Sequence, residues 1–355
     1  MIIKTDCKHL KGDVPCEPHK QCGVHCDACQ EYSSVRKRIL IIKCTGLGDV
    51  VRTTPILRKL KELHPDCEIT WLTCFPDVLP SVVDYKLLFS NESVLRLMAD
   101  EFDYLYNFDK TADCCAVANL VKAKVKKGFM LQHGKCVPID QDAEGKYFTG
   151  LFDDVSKANT KSYVEELFEM AGFVYNKEKY VIDRPQSVGL FPKMKKPVVG
   201  FVTGTGQRWS QTRFWPEENW ANLATELQLK GCTVVLLGGE LEHEKNLRIS
   251  SKSGAHYFGH FPIKEFMALV NECDVVVTAV TSTLHFAIAL EKKIVLFVNI
   301  FNKSEFELYG LGEIIEPPEP CQCYFKSECT VYLGSSCMKD ITVNRVIDVV
   351  ERVLK

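Results

Sequence analysis

A chain of 355 residues, 46% of them hydrophobic, has material for two cores of roughly 150 residues each. With 44 basic and 46 acidic residues the net charge is −2 and no long basic block occurs, so nothing requires nucleic acid as a partner. No run approaches the roughly 20 apolar residues that span a bilayer, and the charged stretch around Lys4, Asp6 and Lys8 has no apolar core of signal-peptide length, which places the chain in the cytoplasm.

The first element met is a cysteine cluster. Of 17 cysteines, Cys7, Cys16, Cys22, Cys26 and Cys29 fall within the first 29 residues, with His9, His19 and His25 among them. Where structural disulfides are rare, clustered thiols read first as metal ligands. The two-residue spacing of Cys26 and Cys29 lets both thiolates reach one tetrahedral ion, which Cys7 and Cys16 would complete, with zinc or iron as the expected structural metal. Residues 1–34 are too short to bury a core, so such a metal would supply their folding energy. Cys22, Cys26 and Cys29 also spell the spacing of radical S-adenosylmethionine enzymes, but no barrel pattern follows.

The segment Arg38 to Pro55, RILIIKCTGLGDVVRTTP, then runs a short apolar strand into a glycine loop. A continuous run such as Ile39 to Ile42 suits a strand buried on both faces of a parallel sheet. Ligands of open α/β sheets sit beyond the carboxyl ends of such strands, where Thr45, Gly46, Leu47, Gly48 and Asp49 fall. Val51 stands where a dinucleotide fingerprint needs its third glycine, so that reading is rejected. Asp49 is either the cap of a helix over Val50 to His64 or a base presented to a ligand.

Strands are predicted next at Glu68 to Thr73 and Phe102 to Asn107, a helix over Lys110 to Lys127, and an amphipathic helix over Asn159 to Ala171 with an Asn or Thr cap. Lys122 to Lys127 holds four lysines in six residues, read as a solvated helix end that could also attract a membrane surface. Asp183 to Pro197, with three prolines and four lysine or arginine residues, is the linker candidate. The pattern then restarts with strands at Val198 to Val202, Thr233 to Leu237, Val275 to Thr278 and Ile294 to Val298, a helix begun at Pro216 and ended by Gly231, and a last helix at Val343 to Leu354 that could fold back across the hinge. The expected fold is α/β: two doubly wound Rossmann-like domains, residues 35–185 and 186–340, facing a cleft, with residues 341–355 crossing back to the first domain.

Three loops of the second half gather at one edge. Thr203-Gly204-Thr205-Gly206, followed by Gln207, Arg208 and Arg213, joins close backbone approach to an arginine able to grip a phosphate. Gly238-Gly239-Glu240-Leu241-Glu242 offers carboxylates to ribose hydroxyls. Thr281-Ser282-Thr283 opens the helix carrying His285, with free N–H groups suited to a diphosphate. In this order the loops suggest a nucleotide-sugar site.

These residues carry a resemblance. ILIIKCTGLGDVVRTTPILRKLKELHP, GTGQRWSQTRFWPEENWANLATEL, VVLLGGELEHE and DVVVTAVTSTLHFAIAL, with SEFELYG after the last strand, resemble the family 9 glycosyltransferases, the heptosyltransferase group of lipopolysaccharide assembly with the GT-B fold. The resemblance implies Asp49 as general base in an inverting transfer from a nucleotide-diphosphate sugar such as ADP-heptose to a hydroxyl of a glycolipid or surface-glycan acceptor, met at the inner face of the membrane by peripheral contact. It implies Arg213, Thr281 and Ser282 at the diphosphate and Glu242 at the ribose, with Gly46, Gly48, Thr205 and His285 completing the donor site. The arginine and helix N-termini would stabilise the leaving group without a metal at the reaction centre. The family usually has an aspartate at the position of Val280, and Val298-Asn299-Ile300 replaces its Gly-Pro-Thr, so the donor sugar stays open.

Cys321, Cys323, Cys329 and Cys337 form a second cluster and a second possible metal knuckle, while the remaining cysteines, such as Cys44 and Cys232, read as small buried groups. Two further functions compete: a sugar-nucleotide-binding or assembly protein whose donor site has decayed at Val280, and a redox or iron–sulfur protein built on the thiols.

Overall fold

The structure is a computed structural model that describes residues 2–186, 189–205, 210–331 and 336–355, without the side chains of residues 210 and 211. The first sheet contains β1 (Lys37–Ile42), β2 (Cys67–Thr73), β3 (Tyr85–Leu88), β4 (Glu101–Asn107), β5 (Lys122–Gln132) and β6 (Lys135–Pro138) in the order β3-β2-β1-β4-β5-β6. Its pairings are parallel except for the β5–β6 hairpin. The second contains β7 (Val198–Val202), β8 (Thr233–Leu237), β9 (Val275–Ala279), β10 (Lys293–Phe297) and β11 (Gly312–Ile315) in the order β11-β10-β9-β7-β8, parallel throughout.

Helices cover both faces, which is why the central strands read as unbroken apolar runs: Ile39 to Ile42 are fully buried, each aliphatic side chain contributing about 1.5–3 kcal/mol. Strand order reverses between β1 and β4 in the first sheet and between β7 and β9 in the second, and such reversals leave crevices at the strands' carboxyl ends. The helices Leu47–Thr53 and Ser282–Ala289, which follow β1 and β9, pack against each other and join the two domains at the floor of the cleft.

Several expectations are corrected. The single helix over Val50 to His64 is two, Leu47–Thr53 and Ile56–Leu63, because Pro55 has no N–H to continue the ladder. The helix over Lys110 to Lys127 stops at Leu120, and the lysine run is the start of β5. Its charges have partners within the chain, mostly at the surface: Lys122 pairs with Glu101, Lys124 with Asp103 and Lys127 with Asp140 and Asp142. The amphipathic helix is Tyr163–Met170, capped by Ser162 rather than by Asn159 or Thr160. The helix Val343–Leu354 does not cross the hinge. Its Val346, Ile347, Val349, Val350 and Val353 join the core beneath β9 and β10 of the second domain.

The metal expectation finds no support in the structure. Among the described residues no group of three or more His, Cys, Asp or Glu side chains could hold a metal ion. Cys7, Cys16, Cys26 and Cys29 line one hollow of about 20 Å³ without converging. The appendage is tied down by other means, among them the Cys7–Ser34 bridge, Tyr32 donating to Asp6 at 2.6 Å, and Lys8 against Asp84 at 3.1 Å. In the second cluster the thiols stay reduced: Cys323 Sγ lies 3.5 Å from Cys329 Sγ while Cys321 shares a thiol hydrogen bond with Cys337, giving two pairs instead of one four-thiol set. Sequence spacing sets how far thiols can reach, and the backbone decides whether they meet.

Candidate active site

The near wall of the cleft is the loop after β1. Gly46, at φ 76°, precedes the helix Leu47–Thr53, and a Cβ there would stand 2.5 Å from Asp49 Oδ2. At Gly48 a Cβ would stand 2.6 Å from the His285 ring and 3.1 Å from the Ser282 backbone of the other domain, so only glycine permits this approach.

Asp109, buried at the end of β4, holds the loop in place. One of its oxygens accepts from the N–H groups of Cys44 and Thr45 at 3.0 and 2.9 Å, and from the Thr45 hydroxyl at 3.0 Å, with Lys43 Nζ at 3.5 Å. Burial alone would raise its pKa, but the Lys43 ammonium and these N–H groups outweigh burial and lower it. Asp109→Ala would strand a buried ammonium and is expected to cost about 3–5 kcal/mol, read by chemical denaturation. A depressed carboxylate contributes fully above its unfolded pKa of about 3.9 and loses that contribution as pH falls, so the deficit of the variant should shrink on acidification below that value.

Asp49 opens onto the cleft with Oδ1 2.7 Å from Arg52 Nη2. Burial pushes its pKa up, yet the charges of Arg52 and Lys43 bring it below the ordinary carboxylate range, leaving a charged group at neutral pH. His285, on the far side, accepts or donates at 3.2 Å with the Tyr180 hydroxyl through Nδ1. Burial, and then Arg52, hold it neutral by lowering its pKa to about 3.

The far wall is the second domain. Arg213 is buried, donates to the Val280 carbonyl at 2.5 Å and lies 5.3 Å over the Phe301 ring. Its Nε is buried without a hydrogen bond, and among the described residues no carboxylate pairs with it. Burial lowers its pKa to about 10, still charged at neutral pH. A desolvated cation without a counter-ion is costly unless an anion completes it. Beside it, Thr281 begins the helix Ser282–Ala289 without capping the first N–H groups through its side chain, which leaves them open to an anion. Glu242 is tucked between Gly204 and Gly239, accepting from Gly239 N at 2.9 Å.

One cavity of about 920 Å³ unites these groups: Asp49, Gly46, Gly48, Thr205, Arg213, Glu242, Thr281, Ser282 and His285 all line it. Gly206, Gln207 and Arg208, also singled out in the sequence, lie outside the described residues. Sequence reasoning missed Arg52, Lys146, Phe301, Glu305 and Phe325, which line the same space. Glu305 is notable, since burial raises its pKa against the pull of Lys146 and Arg52. A smaller cavity of about 370 Å³ on the first domain shares Asp49 and Lys146 and adds Lys43, Thr45, Lys110 and Tyr163, so Asp49 stands where the two spaces meet.

The family model for glycosyltransferase family 9 (heptosyltransferase) matches residues 94–310, well over half of the chain. The chain belongs to this family. No curated protein matches it in sequence. Solved structures with a similar fold include a family 9 glycosyl transferase from Veillonella parvula, at 18% identity over 90% of this chain and 97% of that one with a TM-score of 0.67. Escherichia coli ADP-heptose lipopolysaccharide heptosyltransferase II follows at 17%, 89% and 98%, with a TM-score of 0.64. Escherichia coli heptosyltransferase WaaC, solved with ADP-2-deoxy-2-fluoro heptose, stands at 16%, 89% and 99%, with a TM-score of 0.61. The protein is thus a glycosyltransferase of two Rossmann-like domains, and in this glycosyltransferase the family match begins beyond the loop that carries Asp49.

Proposed function

We propose that this glycosyltransferase moves a heptose-like sugar, with inversion, from a nucleotide-diphosphate donor to a hydroxyl of a lipopolysaccharide or other surface-glycan acceptor. The observation that carries the reading is the pairing, across one cavity, of a charged Asp49 with a buried Arg213 that has no counter-ion among the described residues. Asp49 takes the proton of the acceptor hydroxyl as its oxygen bonds to the anomeric carbon. The bond from that carbon to the diphosphate breaks with its electron pair, and Arg213 with the N–H groups at Thr281 and Ser282 receives the charge. Glu242 and Thr205 face the nucleoside, and the smaller lysine-lined cavity admits the acceptor, its cations suiting an acidic sugar. Such an acceptor, when lipid-linked, would bring the protein to the inner face of a membrane.

A panel of nucleotide sugars screened by thermal shift tests this reading. The true donor should raise the melting temperature as a ligand bound only to the folded state must, and ADP-heptose is the first to try. A second reading rests on Val280, which puts an apolar side chain on the cavity wall where the resemblance leads one to expect an aspartate: a sugar-nucleotide-binding protein without transfer. Slow release of nucleoside diphosphate from one donor supports the enzyme, and a melting shift with no release from any donor supports the binding protein.

A further inference from the structure

We propose that Arg52 is a positioning residue for the base, fixing the orientation of the Asp49 carboxylate at the cleft edge and keeping it ionised. This rests on the assignment of Asp49 as base. Arg52 follows Asp49 by three residues in the helix Leu47–Thr53, a spacing that puts both on one face, and its Nη2 lies 2.7 Å from Asp49 Oδ1. The guanidinium is seated 3.5 Å from the centre of the Tyr163 ring, so the helix Tyr163–Met170 backs it from behind. On the opposite side the backbone at Gly46 leaves just enough room for Oδ2, since a Cβ there would overlap it at 2.5 Å. The carboxylate is therefore gripped from both flanks, with its remaining edge toward the cleft.

Arg52 Nε is buried and makes no hydrogen bond, a poor arrangement for a side chain kept only to stabilise the fold. Its charge has a task at Asp49. Lys43 beyond β1 also favours the ionised form, His285 across the cleft is neutral, Asp109 opposes ionisation, and burial opposes it most. Lys146, Tyr163, Tyr180 and Glu305 complete the charged and titratable surroundings, Glu305 being another carboxylate that senses Arg52. With Arg52 removed, burial, Asp109 and Glu305 all push toward a protonated Asp49, which cannot accept the acceptor's proton.

The test titrates the full-length protein labelled with ¹³C at the aspartate side-chain carbonyl, with Asp49→Asn identifying the signal. Asp49 is expected to titrate below about 3.9 in the parent, at least one pH unit higher in Arg52→Met, and in between in Arg52→Lys. With the donor found in the panel, Arg52→Met should lower kcat tenfold or more, leave KM for the donor within twofold and move the acidic limb of kcat/KM upward, while Arg52→Lys restores most of the rate. An unmoved Asp49 titration overturns the proposal, as does a raised KM with kcat unchanged, which would make Arg52 a substrate-binding group. Should Arg52→Met fail to fold, the lysine variant carries the titration alone. Transfer surviving in Asp49→Asn would instead overturn the base assignment, an outcome separate from the titration.

Discussion

Replacing Asp49 by asparagine is expected to lower kcat by a factor of about 10²–10⁴, the range over which a positioned general base acts. Asparagine keeps the size of the side chain and still offers Arg52 an oxygen at the 2.7 Å contact, so the loop should hold its shape. What it loses is the ability to take a proton. The affinity for the nucleoside diphosphate, which the proposed reading assigns to the opposite wall, should stay within twofold. Initial transfer rates together with a binding titration separate these effects. Because the carboxylate is already ionised below its usual range, the parent enzyme should keep its base active well into mildly acidic solution.

Replacing Arg213 by methionine should have two effects of opposite sign. The rate of transfer is expected to fall by about 10²–10³, the loss typical when a preorganised donor to developing charge is removed. Stability without ligand should be unchanged or higher, because a buried guanidinium lacking a counter-ion among the described residues is replaced by an apolar chain of similar length that can lie against Phe301. A melting curve and a rate assay on one preparation check both. A structural arginine would show the reverse, with lost stability and a proportionate loss of active protein.

Much of this site could be read from the chain because its chemistry lies in loops directly after buried strands. Ile39–Ile42 and Val275–Val277 are unbroken apolar runs, and the residues after them must emerge at the sheet edge where ligands bind. Arg52, Lys146 and Glu305 escaped notice for other reasons. Arg52 lies inside the glycine-loop segment, but nothing in the sequence separates it from any other charged helical residue, while Lys146 and Glu305 reach the cleft only through the packing of the helix Glu144–Leu151 and the turn Lys303–Glu305 around it. The lysines of β5 misled because strand-spaced charges also fit a polar helix, and their partners Glu101 and Asp103 lie on β4. For the cysteines, spacing permits a metal site without building one, and among the described residues no such group converges.

The central claim is that Asp49 on one domain and Arg213 with the Thr281–Ser282 turn on the other serve a single donor molecule. A crystal structure with the nucleoside diphosphate of the donor bound tests it most directly. The account predicts the diphosphate within hydrogen-bonding distance of the Arg213 guanidinium and the N–H groups at the start of the helix Ser282–Ala289, with its terminal phosphate toward Asp49. A diphosphate seated elsewhere, or turned so that its terminal phosphate points away from Asp49, would contradict it.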